Sequence, residues 1–119
     1  YRKLPAVSFD RGVLEKSKKV LVVPGDFGWA DLGSWRTLEN VQPFSSGRNI
    51  LIGDACVEGG RNNIFVSEKG HLLAGIGVSG LVAIHTPDAT LLCPKERSEE
   101  VRRLVSVLKK KRHLSRYLA

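Results

Sequence analysis

Short apolar runs separated by turn residues dominate the chain from Asn49 onward. Each run contains three or four residues and is rich in Ile, Leu and Val, which favours buried strands. A spacing of roughly ten residues per strand is typical of a meander, a small barrel or a β-helix-like coil. The second half of the chain is therefore predicted to be β-rich. The predicted strands are Ile50–Ile52, Ile64–Val66, Leu72–Ala74, Leu81–Ile84 and Thr90–Leu92.

The segments between these runs contain residues that favour turns. Gly70 is suited to a left-handed turn position, and Pro87 followed by Asp88 is typical of a type I turn. The tripeptide Gly-Arg-Asn occurs at 47–49 and again at 60–62. Two copies are too few to establish a solenoid repeat.

The C-terminal segment has the periodicity of an amphipathic helix. Its apolar residues are spaced i, i+3, i+4 and i+7 and form one face; they are Val101, Leu104, Val105 and Leu108. Ser98 is a candidate N-cap, and basic residues follow in the last turn, where the helix dipole favours cations. A helix over about 98–112 is therefore predicted to close the β-rich part.

The first 45 residues follow a different order of elements. A short helical turn at 11–17 precedes Val20–Val23, a branched apolar run that predicts a buried strand. A further helix is predicted over 35–41, with Ser34 as its cap. The polar and glycine-containing segment 43–47 is the most plausible junction, so we predict one domain over 1–45 and another over 46–119.

Composition places the chain among ordinary globular proteins. Its 119 residues are 42% hydrophobic and 26% charged, and no apolar run approaches the roughly 20 residues that cross a bilayer. The N-terminal sequence lacks the apolar core of a signal peptide. Cys56 and Cys93 lie far apart without a metal-binding spacing and are expected to be buried thiols. We therefore expect a cytoplasmic protein that does not span a membrane.

The formal charge of +7 is concentrated at the C-terminus. Residues 95–119 contain nine Lys or Arg and three Glu, whereas the first 94 residues are nearly balanced. A basic helix end that matches the dipole explains this excess. Nucleic-acid binding requires exposed aromatic residues among the cations, and only Tyr117 is present there. No nucleic-acid partner is therefore predicted.

The segment Asp26–Trp35, DFGWADLGSW, contains both tryptophans of the chain, two aspartates and two glycines within ten residues. Asp31 lies in a loop that leads into a predicted helix, whose N-terminus favours anions. A carboxylate beside such a site suits a Mg²⁺-phosphate ligand, because the metal bridges carboxylate and phosphate oxygens. In the alternative interpretation, Trp29 and Trp35 are core residues that hold the loop, and Asp31 caps a helix.

The chain resembles bacterial mannose-1-phosphate guanylyltransferases, which are sugar nucleotidyltransferases. Their pattern V-V-P-x-D-F-G-W-S-D-x-G-S-W is close to the segment VVPGDFGWADLGSW here, and LVAIHTPDATLLCPKERSEEVRRLVSVLK is similar to their ending. Arg11 and Ala30 depart from the pattern, at positions without an assigned role. The matching positions are Ser8, Asp10, Val13, Glu15, Lys16, Val22 to Pro24, Asp26 to Trp29, Asp31 and Gly33 to Trp35.

This resemblance implies specific roles for five residues. Asp31 corresponds to an aspartate that holds Mg²⁺ together with a second one from earlier in the catalytic domain. Glu15 and Lys16 correspond to a motif on the sugar-phosphate side, and Gly33 and Ser34 to the turn beside the metal aspartate. The implied reaction joins mannose 1-phosphate to the α-phosphorus of GTP and gives GDP-mannose and pyrophosphate. The family likeness also implies a homodimer.

The family's glycine-rich loop, G-G-x-G-x-R-L-W-P, has no counterpart in this sequence. The chain therefore resembles the C-terminal third of these enzymes. The implied fold class is α/β: the end of a Rossmann-like nucleotidyltransferase domain, then a small β-helix-like or meander domain with a C-terminal helix. By itself the chain is expected to be inactive and to require an upstream segment or a companion chain. The alternative is a non-catalytic β-domain that serves assembly or regulation of a nucleotidyltransferase.

Overall fold

The computed structural model describes residues 6–118, which form six strands, two α-helices and five short 3₁₀ helices. The strands are β1 Ile50–Ile52, β2 Ala55–Glu58, β3 Ile64–Ser67, β4 Leu73–Ile76, β5 Leu81–His85 and β6 Thr90–Pro94. The α-helices are α1 Phe9–Gly12 and α2 Val101–Lys110. The 3₁₀ helices are Leu14–Lys16, Trp35–Asn40, Ser46–Arg48, Lys95–Glu100 and Ser115–Leu118.

The strands alternate between two sheets as the chain advances. Strands β1, β3 and β5 pair in parallel in one sheet, and β2 and β4 pair in parallel in the other. Strand β6 closes the larger sheet by pairing antiparallel to β5. Parallel pairing of every second strand is the topology of a β-helix-like coil, so the structure selects this option over the meander and the barrel.

The core lies inside this coil, where the parallel register stacks apolar side chains. Ile50, Ile64 and Val82 occupy equivalent positions on β1, β3 and β5 and are at most 1% exposed. Branched side chains suit such a surface, because their shape fills the space between parallel strands. Trp35 and Leu38 pack against this core from the 3₁₀ helix Trp35–Asn40.

Two buried asparagines form a hydrogen-bonded ladder before the stacked core residues. Asn49 Oδ1 accepts from the backbone N–H of Asn63 at 3.0 Å and from its Nδ2 at 2.9 Å. Asn63 Oδ1 then accepts from the backbone N–H of Leu81 at 2.9 Å, and its Nδ2 donates to the carbonyl of Val78. Buried amides are tolerated here because each finds partners on the neighbouring coil.

The structural repeat is marked by backbone conformation, not by the Gly-Arg-Asn tripeptides. Arg48, Asn62 and Gly80 each lie two residues before a stacked core residue, and all three have a left-handed φ of 57° to 67°. The tripeptide at 60–62 is therefore shifted by one residue from the one at 47–49. This offset explains why the sequence repeat is too weak to reveal the coil.

The N-terminal part departs from prediction in one element. Helix α1 begins after Ser8, whose hydroxyl accepts a hydrogen bond from the backbone N–H of Arg11. The predicted buried strand at Val20–Val23 is wrong, because these residues belong to no strand and are exposed. An extended segment becomes a strand only beside a second backbone that completes its hydrogen bonds. Within residues 6–44 no such partner strand exists.

The C-terminal helix is confirmed, with a different start. Ser98 is not its N-cap, because Ser98 is buried inside the preceding 3₁₀ helix and Glu100 occupies the N-cap position of α2. Val101, Val105 and Leu108 are half-buried, whereas Leu104 is exposed. No helix of the described part is long and apolar enough to cross a bilayer.

The remaining predictions for the β-rich part have mixed outcomes. Strand β2 is absent from the predicted set; its residues alternate between half-buried and exposed positions. Gly70 has the predicted left-handed φ. Both cysteines are free, but Cys56 is exposed and only Cys93 is half-buried. Burial raises the pKa of the Cys93 thiol, an effect that the positive charge of Arg97 partly offsets.

Candidate functional site

A cavity of about 820 Å³ lies between the Asp31 loop and the start of helix α2. One wall is formed by residues 31–35 together with Thr37 and Leu38. The opposite wall is formed by Ser98, Glu99, Val101 and Arg102. The cavity thus brings three predicted site residues, Asp31, Gly33 and Ser34, together with residues more than sixty positions away in the sequence.

The loop presents the Asp31 carboxylate to solvent. Asp31 is exposed, and a Cβ atom placed on Gly33 would lie 3.5 Å from its Oδ2 atom. A side chain at position 33 would therefore meet the carboxylate at an ordinary contact distance, and glycine leaves that side of the carboxylate open. An accessible carboxylate in a cavity is a suitable ligand for a hydrated cation.

The segment after the loop is a helix, as predicted, but a short and tight one. It is a six-residue 3₁₀ helix, Trp35–Asn40, with Ser34 at its N-cap position. The Ser34 hydroxyl makes no capping bond; instead its carbonyl accepts from the Thr37 backbone N–H at 3.1 Å and from Thr37 Oγ1 at 2.6 Å. Such a short helix has a weak dipole, so the charged side chains of the residues that line the cavity, Asp31, Glu99 and Arg102, carry the electrostatics of the site.

The two tryptophans of the loop have different environments. Trp35 is half-buried and packs against the β-helix core, as expected for a residue that anchors the loop. Trp29 is 75% exposed, so the expectation that both indoles pack in the core is wrong for Trp29. Only one of the two indoles therefore holds the loop against the described part of the protein.

Arg102 is the cation on the opposite wall, and sequence reasoning did not identify it. It lies in the first turn of α2 and enters neither ion pair of residues 6–118. Its side chain lines the same cavity as Asp31 and Glu99. The helix pattern predicts that Arg102 lies on a polar face, but nothing in the sequence indicates which loop that face meets. Opposite charges across one cavity suit a ligand that carries both phosphate and metal.

Glu15 and Lys16 are not brought to this cavity. Both are exposed on the 3₁₀ helix Leu14–Lys16, and neither belongs to the cavity wall. Their assignment to a sugar-phosphate site therefore stays a prediction.

The described residues supply only part of a metal site. Within residues 6–118 no group of three or more His, Cys, Asp or Glu side chains is arranged to hold a metal ion. Mg²⁺, however, is commonly bound by one or two carboxylates, with water and substrate phosphates completing its shell. The exposed carboxylate of Asp31 would fit one such position, with water and phosphate oxygens as the other ligands.

Comparisons with known proteins match the fold. The family profile "MannoseP isomerase/GMP-like beta-helix domain" matches residues 57–108. A crystal structure from Thermus thermophilus, described as mannose-1-phosphate geranyltransferase, superposes with a TM-score of 0.79 at 37% sequence identity. The superposition covers 89% of this chain and 32% of the Thermus chain. The described fold therefore contains a β-helix domain of the class that this profile describes, followed by a C-terminal helix.

Curated relatives make the relationship specific. A mannose-1-phosphate guanylyltransferase of Escherichia coli is 40% identical over 105 residues, which cover 88% of this chain and 22% of that protein. The alginate biosynthesis protein AlgA of Pseudomonas putida is 33% identical over 104 residues, which cover 87% of this chain and 21% of that protein. The chain is a homologue of the C-terminal part of the mannose-1-phosphate guanylyltransferase family, as its sequence predicted. It spans about a fifth of the length of the curated relatives it matches.

Proposed function

We propose that the chain acts as part of a mannose-1-phosphate guanylyltransferase. The proposed enzyme joins GTP and mannose 1-phosphate to form GDP-mannose and pyrophosphate. The observation that carries the proposal is the exposed Asp31 carboxylate, which lines a cavity within a loop that matches the family. The names of the relatives support the same reaction.

In this proposal Asp31 contributes one ligand to Mg²⁺ at the reacting phosphates. The bound metal supplies charge neutralisation and a template for the phosphates. Ser34 holds the end of the loop through its carbonyl, which accepts from Thr37, and Gly33 adds no side chain next to the carboxylate. Glu15 and Lys16 would line the sugar-phosphate side once the catalytic domain is complete.

Arg102 provides the complementary charge on the other wall. The nucleophile in the proposed reaction is already an anionic phosphate, so no side chain needs to activate it by removing a proton. Catalysis then consists mainly of holding two phosphate groups in line and of offsetting their repulsion. Arg102 is suited to this task because a guanidinium binds phosphate oxygens through two parallel hydrogen bonds.

The remaining parts of the proposed enzyme come from outside this sequence. The exposed apolar residues Leu21, Val22 and Val23 support the view that residues 1–45 complete a Rossmann-like sheet of an upstream segment or companion chain. That segment would carry the glycine-rich nucleotide loop and the second metal aspartate. We also propose a homodimer in the cytoplasm, where free thiols such as Cys56 are stable.

The proposal predicts that activity depends on the missing segment. Purified residues 1–119 with GTP, mannose 1-phosphate and Mg²⁺ should form no GDP-mannose, because they lack a triphosphate loop and the second carboxylate. The complete enzyme, meaning this chain together with the segment that carries the glycine-rich loop, should form it. Product is measured by chromatography of the nucleotide sugars, with Mg²⁺ removal by EDTA as the control.

Two results would contradict the proposal. GDP-mannose formation by residues 1–119 alone would show that the missing segment is not required. If this chain binds the segment that carries the glycine-rich loop but the two together form no GDP-mannose, the result would favour the alternative function, a β-domain for assembly or regulation.

A further inference from the structure

Lys95 is a buried cation that joins three separate segments of the chain. Lys95 is 8% exposed, and its Nζ atom donates to Glu39 Oε1 at 2.6 Å and to the Asn62 side-chain oxygen. Its backbone N–H donates to the carbonyl of Gly80 at 2.7 Å. A lysine in such a position is rare unless its charge is paired, so these contacts account for its burial.

One of the three segments leads directly to the candidate site. Glu39 lies on the 3₁₀ helix Trp35–Asn40, which begins immediately after the Asp31 loop. The other two contact residues, Asn62 and Gly80, have left-handed backbone conformations and lie on successive coils of the β-helix. The Lys95–Glu39 pair therefore fixes the helix that follows the loop to the rigid stack of strands.

This pair differs from the other ion pair of the described residues. Arg97 and Glu100 also lie on the 3₁₀ helix that begins at Lys95, but their side chains are 63% and 45% exposed. Those of Lys95 and Glu39 are 9% and 23% exposed. Exposed pairs contribute little, whereas removal of one partner from a buried pair leaves an uncompensated charge. Arg97 and Glu100 thus form a matched control on the same element.

We propose that Lys95 is a positioning residue that acts through Glu39 to set the place of the Asp31 carboxylate in the cavity. The proposal rests on the proposed function insofar as Asp31 is a metal ligand. A shift of the helix Trp35–Asn40 would move the attached loop, and a misplacement of about 1 Å in a reacting group costs about a hundredfold in rate. Lys95 itself touches neither substrate nor metal in this proposal.

The test uses three single variants of the complete enzyme: Lys95→Met, Glu39→Gln and the control Glu100→Gln. Amide hydrogen exchange of residues 34–41 is followed by mass spectrometry, and turnover is measured over a range of Mg²⁺ concentrations. In Lys95→Met and Glu39→Gln we expect exchange about tenfold faster. We also expect turnover to fall about tenfold to a hundredfold and the half-saturating Mg²⁺ concentration to rise. In the double variant Lys95→Met/Glu39→Gln, exchange and turnover should change no more than in either single variant, because both changes remove the same contact. Glu100→Gln should leave all three measurements unchanged.

The outcomes separate this inference from the proposed function. Unchanged exchange in both variants would overturn the inference, whether or not the enzyme is active. Faster exchange with unchanged turnover and Mg²⁺ dependence would also overturn it, since the pair would then be structural only. An inactive wild-type enzyme would overturn the proposed function, while the exchange data would still report whether the pair holds the helix. If Lys95→Met does not fold, Glu39→Gln tests the same contact from its more exposed side.

Discussion

Asp31 lies exposed in a loop whose end is attached to the core by Trp35. Gly33 adds no side chain next to the carboxylate. The anchoring side chain, Trp35, is thus apolar and half-buried, whereas the Asp31 carboxylate is polar and exposed. Of the two tryptophans near Asp31, only Trp35 anchors the loop within the described chain.

The two tryptophans give a prediction about stability at the scale of single residues. In residues 1–119, Trp35→Ala should lower the free energy of unfolding by about 2–4 kcal/mol, because it removes a half-buried ring from the core. Trp29→Ala should change it by less than about 0.5 kcal/mol, because the Trp29 ring is 75% exposed. Urea denaturation followed by circular dichroism measures both. Equal losses for the two variants would show that Trp29 is also packed.

At the scale of elements, the β-helix depends on turns that bring successive coils close together. Gly53 follows β1, has a φ of 74°, and a Cβ atom placed on it would lie 2.0 Å from the Ser67 carbonyl oxygen. Gly59 follows β2 with a similar φ of 62°, but the nearest atom to its added Cβ is 4.0 Å away. The two glycines therefore share a backbone conformation and differ in available space.

This difference predicts unequal effects of alanine. Gly53→Ala should destabilise the domain by more than about 3 kcal/mol, because it adds a clash with the backbone to the strain of a left-handed residue. Gly59→Ala should cost about 1–2 kcal/mol, the strain alone. Thermal and urea denaturation of the two variants check this order. A similar cost for both would mean that the Gly53 turn shifts to accept the methyl group.

The elements themselves show what local sequence can predict. Four of the five predicted apolar runs lie wholly on strands, and the fifth overlaps β4 from Leu73. On the parallel strands β1, β3 and β5 continuous apolar residues favour burial, whereas β6 is antiparallel and alternates exposed with half-buried residues. Strand β2 escapes prediction because Ala55 and Cys56 give it little of the Ile, Leu and Val content on which the strand prediction rests. Val20–Val23 has the composition of a strand but not its structure, because pairing depends on a partner backbone. The β-helix topology was one of three options, since strand spacing does not determine which strands pair.

At the scale of the whole molecule, the site is formed by residues distant in sequence. The loop motif identified Asp31, Gly33 and Ser34, which do line one cavity. Arg102 and Lys95 were not identified as site or positioning residues, because their contacts with the loop side arise from packing of the C-terminal segment. A short motif therefore predicts one wall of the site, and the opposite wall becomes visible only in the folded chain.

The most direct test of Asp31 as a metal ligand is the turnover of the complete enzyme carrying Asp31→Asn. The change keeps the size of the side chain but removes its charge, so GDP-mannose formation should fall by about a hundredfold or more, roughly 1.4 kcal/mol for each tenfold. The melting temperature should barely change, because Asp31 is exposed and enters neither ion pair of the described residues. Asp88→Asn, which removes an exposed carboxylate in the turn between β5 and β6, should leave turnover unchanged. Normal turnover in Asp31→Asn together with a large loss of stability would contradict the metal-ligand role and make Asp31 a structural residue of the loop.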